Sequence, residues 1–175
     1  MVKRGVFVGR FQPFHKGHLG AIKKIADKVD ELVIIVGSSQ YSHRLDNPFT
    51  AGERITMIRK ALEEEGIQLS RVWIIPVPDV HQHMLWVYQI VGYCPKFDVV
   101  YTNEPLTCRL FMEAGFRVEQ VPPIRREVYL ATEIRKRMLA GGEWEELVPS
   151  SVASYIKEIE GDVRLRDLNK TDTVD

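Results

Sequence analysis

The chain has 175 residues, 45% of them hydrophobic, and carries 24 Lys plus Arg against 24 Asp plus Glu. That length and apolar content suit one domain with its own core. The balanced charge excludes wholesale attraction to nucleic acid or to an anionic membrane, so any affinity for anions is local. Cys94 and Cys108 are the only cysteines; they cannot form a disulfide framework or a thiolate metal cage and favour a reducing compartment, with a single bridge left open. The start of the chain offers only a short apolar stretch before Arg10 and reads as neither signal peptide nor membrane span. A cytoplasmic protein is expected.

Short runs rich in β-branched residues at 5–8, 31–36, 72–77, 98–101 and 117–121 read as buried strands. Segments with helical spacing separate them, at 17–28, 50–64, 85–93 and 105–114. The alternation predicts a single Rossmann-like, doubly wound α/β domain with a parallel five-stranded sheet. After the fifth strand the pattern turns purely helical, at 132–139, 143–147 and 151–160, which predicts C-terminal helices packed beside the sheet. Residues 1–161 are therefore assigned to the domain, and 162–175 are read as a polar C-terminal tail. Ligands of such sheets sit at the carboxyl ends of the strands, where strand order reverses. Attention falls on the loops after strands one, two, three and five.

The first loop, Gly9-Arg10-Phe11-Gln12-Pro13-Phe14-His15-Lys16-Gly17-His18, places two histidines, an arginine and a lysine around a helix start. Cations there oppose the helix dipole at a cost of about 0.3–1 kcal/mol each unless an anion intervenes, and phosphate is the simplest such anion. His15 and His18 share a face of the first turn, so both rings can reach one phosphate chain, and Gly17 lets a ligand approach the backbone. The competing reading, one histidine capping the helix and the other packing, is weakened by the strand-to-helix setting. A zinc reading is weaker still, for want of H-E-x-x-H or an identifiable third ligand. No Walker-type phosphate loop and no G-x-G-x-x-G is present.

This ten-residue segment resembles the extended H-x-G-H signature of the nucleotidyltransferase superfamily. The second loop, from Gly37 to Arg54, is similar to the G-S-x-Q-x-S-H and N-P-F-T-x-G-E-R stretches of archaeal-type nicotinamide-mononucleotide adenylyltransferases; within it Thr50 and Glu53 also have capping-box spacing. The third, Pro76 to Val87, resembles the loop where that family holds nicotinamide ribonucleotide. The resemblance implies that Trp86 stacks on the pyridinium, a sensible cation–π pairing, with Ser38, Asp79 and Val80 beside it; ordinary packing of Trp86, and a strand-ending role for Asp79, are the alternatives. Two departures fall on this acceptor side, His83 in place of Asn and Asn103-Glu104 within the segment before Pro105. The role of Arg44 is open.

Late in the chain, residues 125–137 carry five cations, three of them within the opening of a helix. Thr132 has the chemistry of an N-cap, yet Arg135 stands where a capping box would have Glu or Gln. Thr132 and Arg135 match the superfamily's second signature, Ser or Thr followed by x-x-Arg, while Lys136 and Arg137 are equally readable as a solvated basic face.

By resemblance, ATP is held by Gly9, Arg10, Phe11, His15, His18, Thr132, Ile134 and Arg135, of which His15, His18 and Arg135 are catalytic. The implied reaction moves AMP from ATP to nicotinamide mononucleotide, giving NAD and pyrophosphate. Mg²⁺ is expected on the substrate phosphates without a protein cage, and relatives form oligomers, often hexamers. A phosphate monoester is largely dianionic at neutral pH, so the absence of a carboxylate dyad or a Ser-His-Asp set is no obstacle. Two other readings compete: transfer to a different phosphorylated acceptor, disfavoured by the Trp86 loop, and a nucleotide sensor without turnover, disfavoured by the lack of a helix-turn-helix or basic stripe.

Overall fold

The computed structural model describes residues 2–121, 124–125 and 128–170. Five parallel strands, β1 (Arg4–Gly9), β2 (Glu31–Val36), β3 (Val72–Pro76), β4 (Val99–Tyr101) and β5 (Val118–Glu119), lie in the order β3-β2-β1-β4-β5. Strand order reverses between β1 and β4, so a crevice opens at the carboxyl ends of those two strands.

β2 reads Glu-Leu-Val-Ile-Ile-Val and buries every residue after the first, as a strand covered on both faces must. Its alternate side chains feed two separate cores. Leu32, Ile34 and Val36 join the core under α1 (Lys16–Ala26), α2 (Ala51–Glu64), α5 (Ala131–Leu139), α6 (Ser150–Glu158) and α7 (Gly161–Leu168). Val33 and Ile35 join the opposite core, which is covered by α3 (His83–Tyr93) and α4 (Pro105–Glu113). The sheet is doubly wound, as expected.

β5 is shorter than the expected 117–121. β4 leaves the sheet after Tyr101, and the side-chain amide of Asn103 takes over, accepting from Val121 N–H at 3.0 Å and donating to the Val121 carbonyl at 2.6 Å. The expected helix at 143–147 contracts to a 3₁₀ turn, Glu145–Leu147. A larger departure follows residue 161. The segment read as a polar tail begins with α7, a two-turn helix whose Leu165 is fully buried and which packs on α5 and α6. One buried leucine per two turns, set among charges that pair along the surface, is too weak a stripe to read as amphipathic in isolation. Residues 171–175 lie outside the described residues.

Candidate active site

Two cavities of about 490 and 500 Å³ open at the switch point and meet at Val8, Thr102 and Glu104. The first is lined by Gly9, Arg10, Ser38, Asp79, Val80 and Trp86 among others. The second is lined by His15, Gly17, His18, Asn103, Tyr129 and Leu130 among others.

The second cavity is built around the start of α1. His15 is its N-cap, in an extended conformation, and the Nδ1 of its ring accepts from His18 N–H at 3.3 Å. The ring of His18 returns the contact, its Nδ1 accepting from His15 N–H at 3.3 Å. This is a capping box made of two imidazoles, stacked with centroids 3.5 Å apart. The capping and phosphate readings of these residues are thus compatible: a neutral ring whose Nδ1 accepts must carry its proton on Nε2, leaving that N–H as a donor. Neutrality follows from the surroundings. Burial lowers the His15 pKa from 6.5 to about 4. Burial also holds His18 well below 6.5, since its ring lies against Phe11 and Phe14, and the charge of a protonated His15 would lower it further. Gly17 is required by crowding, because a Cβ there would stand 2.9 Å from Tyr129 Cβ and 3.0 Å from the His15 ring. Gly9 is required for the same reason beside the ring of Phe11.

Two shielded guanidiniums lie beneath the loops, near the exposed Arg10. Arg54, on the buried face of α2, is wholly inaccessible to solvent and donates to the carbonyls of Thr50, Arg10, Gly37 and Ser38 at 2.7–3.2 Å. It therefore ties together the ends of β1 and β2. Burial brings its pKa down from 12.5 to about 10, and the charge of Arg10 pushes the same way. Arg135 donates to the Gln12 carbonyl at 2.7 Å, and burial followed by Arg10 lowers its pKa too. Among the described residues none of these three arginines forms a direct ion pair. Three like charges held close, two of them desolvated, leave the site short of negative charge.

The first cavity is framed by two loops that a single glutamine latches. Gln40 accepts from Asp79 N–H at 2.9 Å and donates to the Asp79 carbonyl at 3.2 Å, while an Asp79 carboxylate oxygen accepts from Ser38 N–H at 3.3 Å. Ser38 and Phe11 occupy the left-handed region, with φ of 49° and 54°. Non-glycine residues rarely sit there, and such strain gathers at functional loops. Trp86 enters the cavity from α3 with its indole N–H buried and without a partner among the described residues. An orphaned buried donor beside a cavity is a polar anchor awaiting an acceptor.

Of the two sequence departures on this side, Asn103-Glu104 finds a local explanation and His83 does not. Glu104 is the N-cap of α4, its carboxylate accepting from Leu106 and Thr107 N–H at 3.2 and 2.6 Å. Burial pushes its pKa up, but those hydrogen bonds outweigh burial and hold it below the usual range. Asn103 ends β5, as described above. His83, the first residue of α3, is exposed and lines the first cavity. Arg44 lies over the Tyr41 ring and pairs with Asp46 at 3.3 Å, a local surface contact.

The expected residues are only partly brought together. His15 and His18 line one cavity and Ser38, Asp79, Val80 and Trp86 the other. Gly9 and Arg10, expected at ATP, line the cavity that holds Trp86. Phe11 is buried behind His18. Thr132 is not the N-cap of α5; Leu130 is, and Thr132 stands exposed one residue into the helix. Ile134 is fully buried, its N–H donated to the Leu130 carbonyl. Arg137 is spent on Glu133 and Glu146, which decides it as a structural surface cation, while Arg126 lies outside the described residues. Sequence reasoning passed over Arg54, Gln12 and Gln40, and it placed the loop after β4 on the acceptor side alone, whereas its Thr102 and Glu104 border both cavities. An arginine one turn after the N-cap on a helix's apolar face was the available signal for Arg54.

Paired cavities under neutral donors and crowded guanidiniums suit a reaction that joins two phosphate-bearing molecules, and the fold presenting them is that of the nucleotidyltransferases. Residues 6–137 match the cytidylyltransferase-like family model. The chain is 51% identical to the nicotinamide-nucleotide adenylyltransferase of Saccharolobus solfataricus, over 98% of this chain and 99% of that one. It is 54% identical to that of Ignicoccus hospitalis, over 97% and 99%. The crystal structure of a bifunctional NMN adenylyltransferase/ADP ribose pyrophosphatase from Francisella tularensis shares the fold, with a TM-score of 0.82 at 24% identity over 96% of this chain. This chain spans 52% of that longer protein. The same Francisella protein complexed with AMP and a manganese ion aligns with a TM-score of 0.79 at 26% identity, over 96% of this chain and 52% of that one. The chain belongs to the cytidylyltransferase-like family and, within it, to the nicotinamide-nucleotide adenylyltransferases.

Proposed function

We propose that the protein transfers AMP from ATP to nicotinamide mononucleotide, forming NAD and pyrophosphate. The carrying observation is the pair of adjoining cavities, one flanked by two neutral imidazoles at a helix start and the other by Trp86. ATP occupies the histidine cavity, its phosphate chain running toward Arg135, and the mononucleotide occupies the Trp86 cavity with its 5′-phosphate toward Arg10. An oxygen of that phosphate attacks the α-phosphorus of ATP, a new P–O bond forms, and the bond to the β-phosphate bridging oxygen breaks in line as pyrophosphate leaves.

No general base is needed, because the attacking phosphate is already largely dianionic. The protein's work is to position two polyanions and to stabilise charge as it grows on the α-phosphate and the leaving group. The Nε2–H donors of His15 and His18 meet the phosphate oxygens without first having to release a proton. Arg10 and Arg135 supply positive charge, and Arg54, which touches no substrate, holds the loops that carry Arg10 and Ser38.

When bound, Mg²⁺ would supply further charge neutralisation on the phosphates, held by substrate oxygens and water rather than by a dedicated protein cage. No described helix is long and apolar enough to cross a membrane, and the two cysteines are unpaired, in keeping with a cytoplasmic enzyme. The exposed Met84, Leu85, Tyr88, Val91 and Tyr93 of α3 form an apolar face that supports assembly into a homo-oligomer.

The test is to incubate the protein with Mg²⁺, ATP and a panel of phosphorylated acceptors and to measure pyrophosphate and dinucleotide. Nicotinamide mononucleotide should be the best acceptor. Faster turnover with another acceptor would overturn the acceptor assignment, and tight ATP binding without any turnover would leave a sensor.

A further inference from the structure

The last helix touches both supports of the proposed ATP site. On one side Arg164 grips the segment that leads into α2, donating from Nη1 to the Pro48 carbonyl at 3.2 Å and to Glu53 Oε2 at 2.8 Å, and from Nη2 to Glu53 Oε1 at 2.7 Å. Such a two-pronged Arg–carboxylate pair fixes direction as well as distance. Both side chains are largely shielded, 21% and 15% exposed, so water and salt screen the pair weakly. Glu53 Oε2 also accepts from Thr50 N–H at 2.8 Å.

Between Pro48 and Thr50 stands Phe49. Its backbone exchanges two hydrogen bonds of 2.9 Å with the side-chain amide of Gln12, a buried residue of the first loop. Its ring lies against Gly161 at the start of α7, where a Cβ would stand 2.6 Å from a ring atom. The carbonyl of Gln12 then accepts from Arg135 at 2.7 Å. On its other side α7 meets α5, the helix that carries Arg135: Leu165 is buried, and Arg166 donates to the Met138 carbonyl at 3.2 Å. A closed circuit results, from Arg164 through Glu53, Phe49 and Gln12 to Arg135, and back through α5 to α7.

We propose that Arg164 is a positioning residue for the nucleotide-donor site, setting the distance between the histidine loop and Arg135 while touching no substrate itself. The proposal rests on the assignment of ATP to that loop. Coupling of this kind requires a physically continuous network, and here every link is a hydrogen bond or a packed contact. None of the circuit's residues lines the Trp86 cavity, so its loss should weaken the donor more than the acceptor.

The test compares wild type, Arg164→Ala, Arg164→Lys and Ile156→Val, the last a packing change in the core face of α6. For each, the affinity for an α,β-methylene analogue of ATP, the KM of both substrates, kcat and Tm are measured. Arg164→Ala should weaken the analogue and raise the ATP KM about tenfold, the loss expected for one shielded charge-assisted contact, with the KM for nicotinamide mononucleotide unchanged. Arg164→Lys, which keeps the charge and loses the fork, should fall between. Ile156→Val should lower Tm and leave both KM values in place. Should Arg164→Ala fail to fold, the Lys variant carries the comparison. Unchanged ATP affinity, an equal rise in both KM values, or the same ATP defect in Ile156→Val would overturn the proposal. Analogue binding reports on Arg164 whether or not the protein turns over, whereas absence of turnover in wild type would count against the assigned reaction alone.

Discussion

The two cavities share a wall and differ in how firmly their polar side chains are held. The one flanked by histidines rests on backbone: each imidazole is fixed by the other residue's N–H, and Arg135 is fixed by a carbonyl. In the one that holds Trp86 the loops are latched to backbone through Gln40 and Asp79, but the indole N–H has no partner among the described residues, and Asp79 and His83 are exposed. The proposed donor site therefore cannot drift without undoing a helix start, whereas the proposed acceptor site can be rewritten one side chain at a time.

The largest effect that would test this contrast is on the donor side. His18→Ala should lower kcat by about 10²–10³, as for a major transition-state donor, with the acceptor KM preserved; pyrophosphate release under saturating substrates measures it, and near-normal turnover would remove His18 from the reaction. On the acceptor side, Trp86→Ala should raise the KM for nicotinamide mononucleotide about tenfold, the worth of a shielded cation–π contact. The ATP KM should not move, and a matching rise would dissolve the division between the cavities.

A subtler difference lies in pH. Both histidine pKa values are lowered on folding, His15 to about 4, so below 6.5 the unfolded chain takes up protons that the native rings refuse. The stability tied to the neutral pair is complete above 6.5 and is lost as pH falls from 6.5 toward 4. Thermal melts of the ligand-free protein should show Tm falling between pH 6.5 and 5, and His15→Asn should flatten that slope. A slope unchanged by the substitution would mean the rings are not held neutral. The smallest expected effect belongs to His83→Asn. An exposed side chain at the cavity mouth should alter the ratio of nicotinamide to nicotinic acid mononucleotide efficiency by only about twofold, measured in competition.

Much of the fold could be read in advance because a doubly wound sheet writes itself in local pattern: β2 is an unbroken apolar run, and α2 opens with Thr50 and Glu53 in a capping box that the structure contains. The histidine loop was visible because Arg10 and Lys16 beside a helix start run against the dipole, although the two imidazoles counted with them are neutral. Other features escaped for reasons of the same kind. Arg54, Gln12 and Gln40 act through carbonyls and N–H groups distant in sequence, and no spacing rule encodes such a partner. α7 escaped because its burial is supplied by α5 and α6 and the partner of its Arg164 by Glu53 of α2. Thr132 misled in the opposite direction, since a residue suited to capping was displaced when the helix began one position earlier, after Leu130.

The arginines under the cleft carry a thermodynamic consequence. Arg10 repels both Arg54 and Arg135, and those two have surrendered water for carbonyls. Whatever anion relieves that repulsion binds the native chain and not the unfolded one. By mass action it adds about 2.7 kcal/mol of stability at a hundredfold excess over Kd. Nucleotide is then a fold-stabilising ligand as well as a reactant, and the chain is sturdiest where its substrate is abundant.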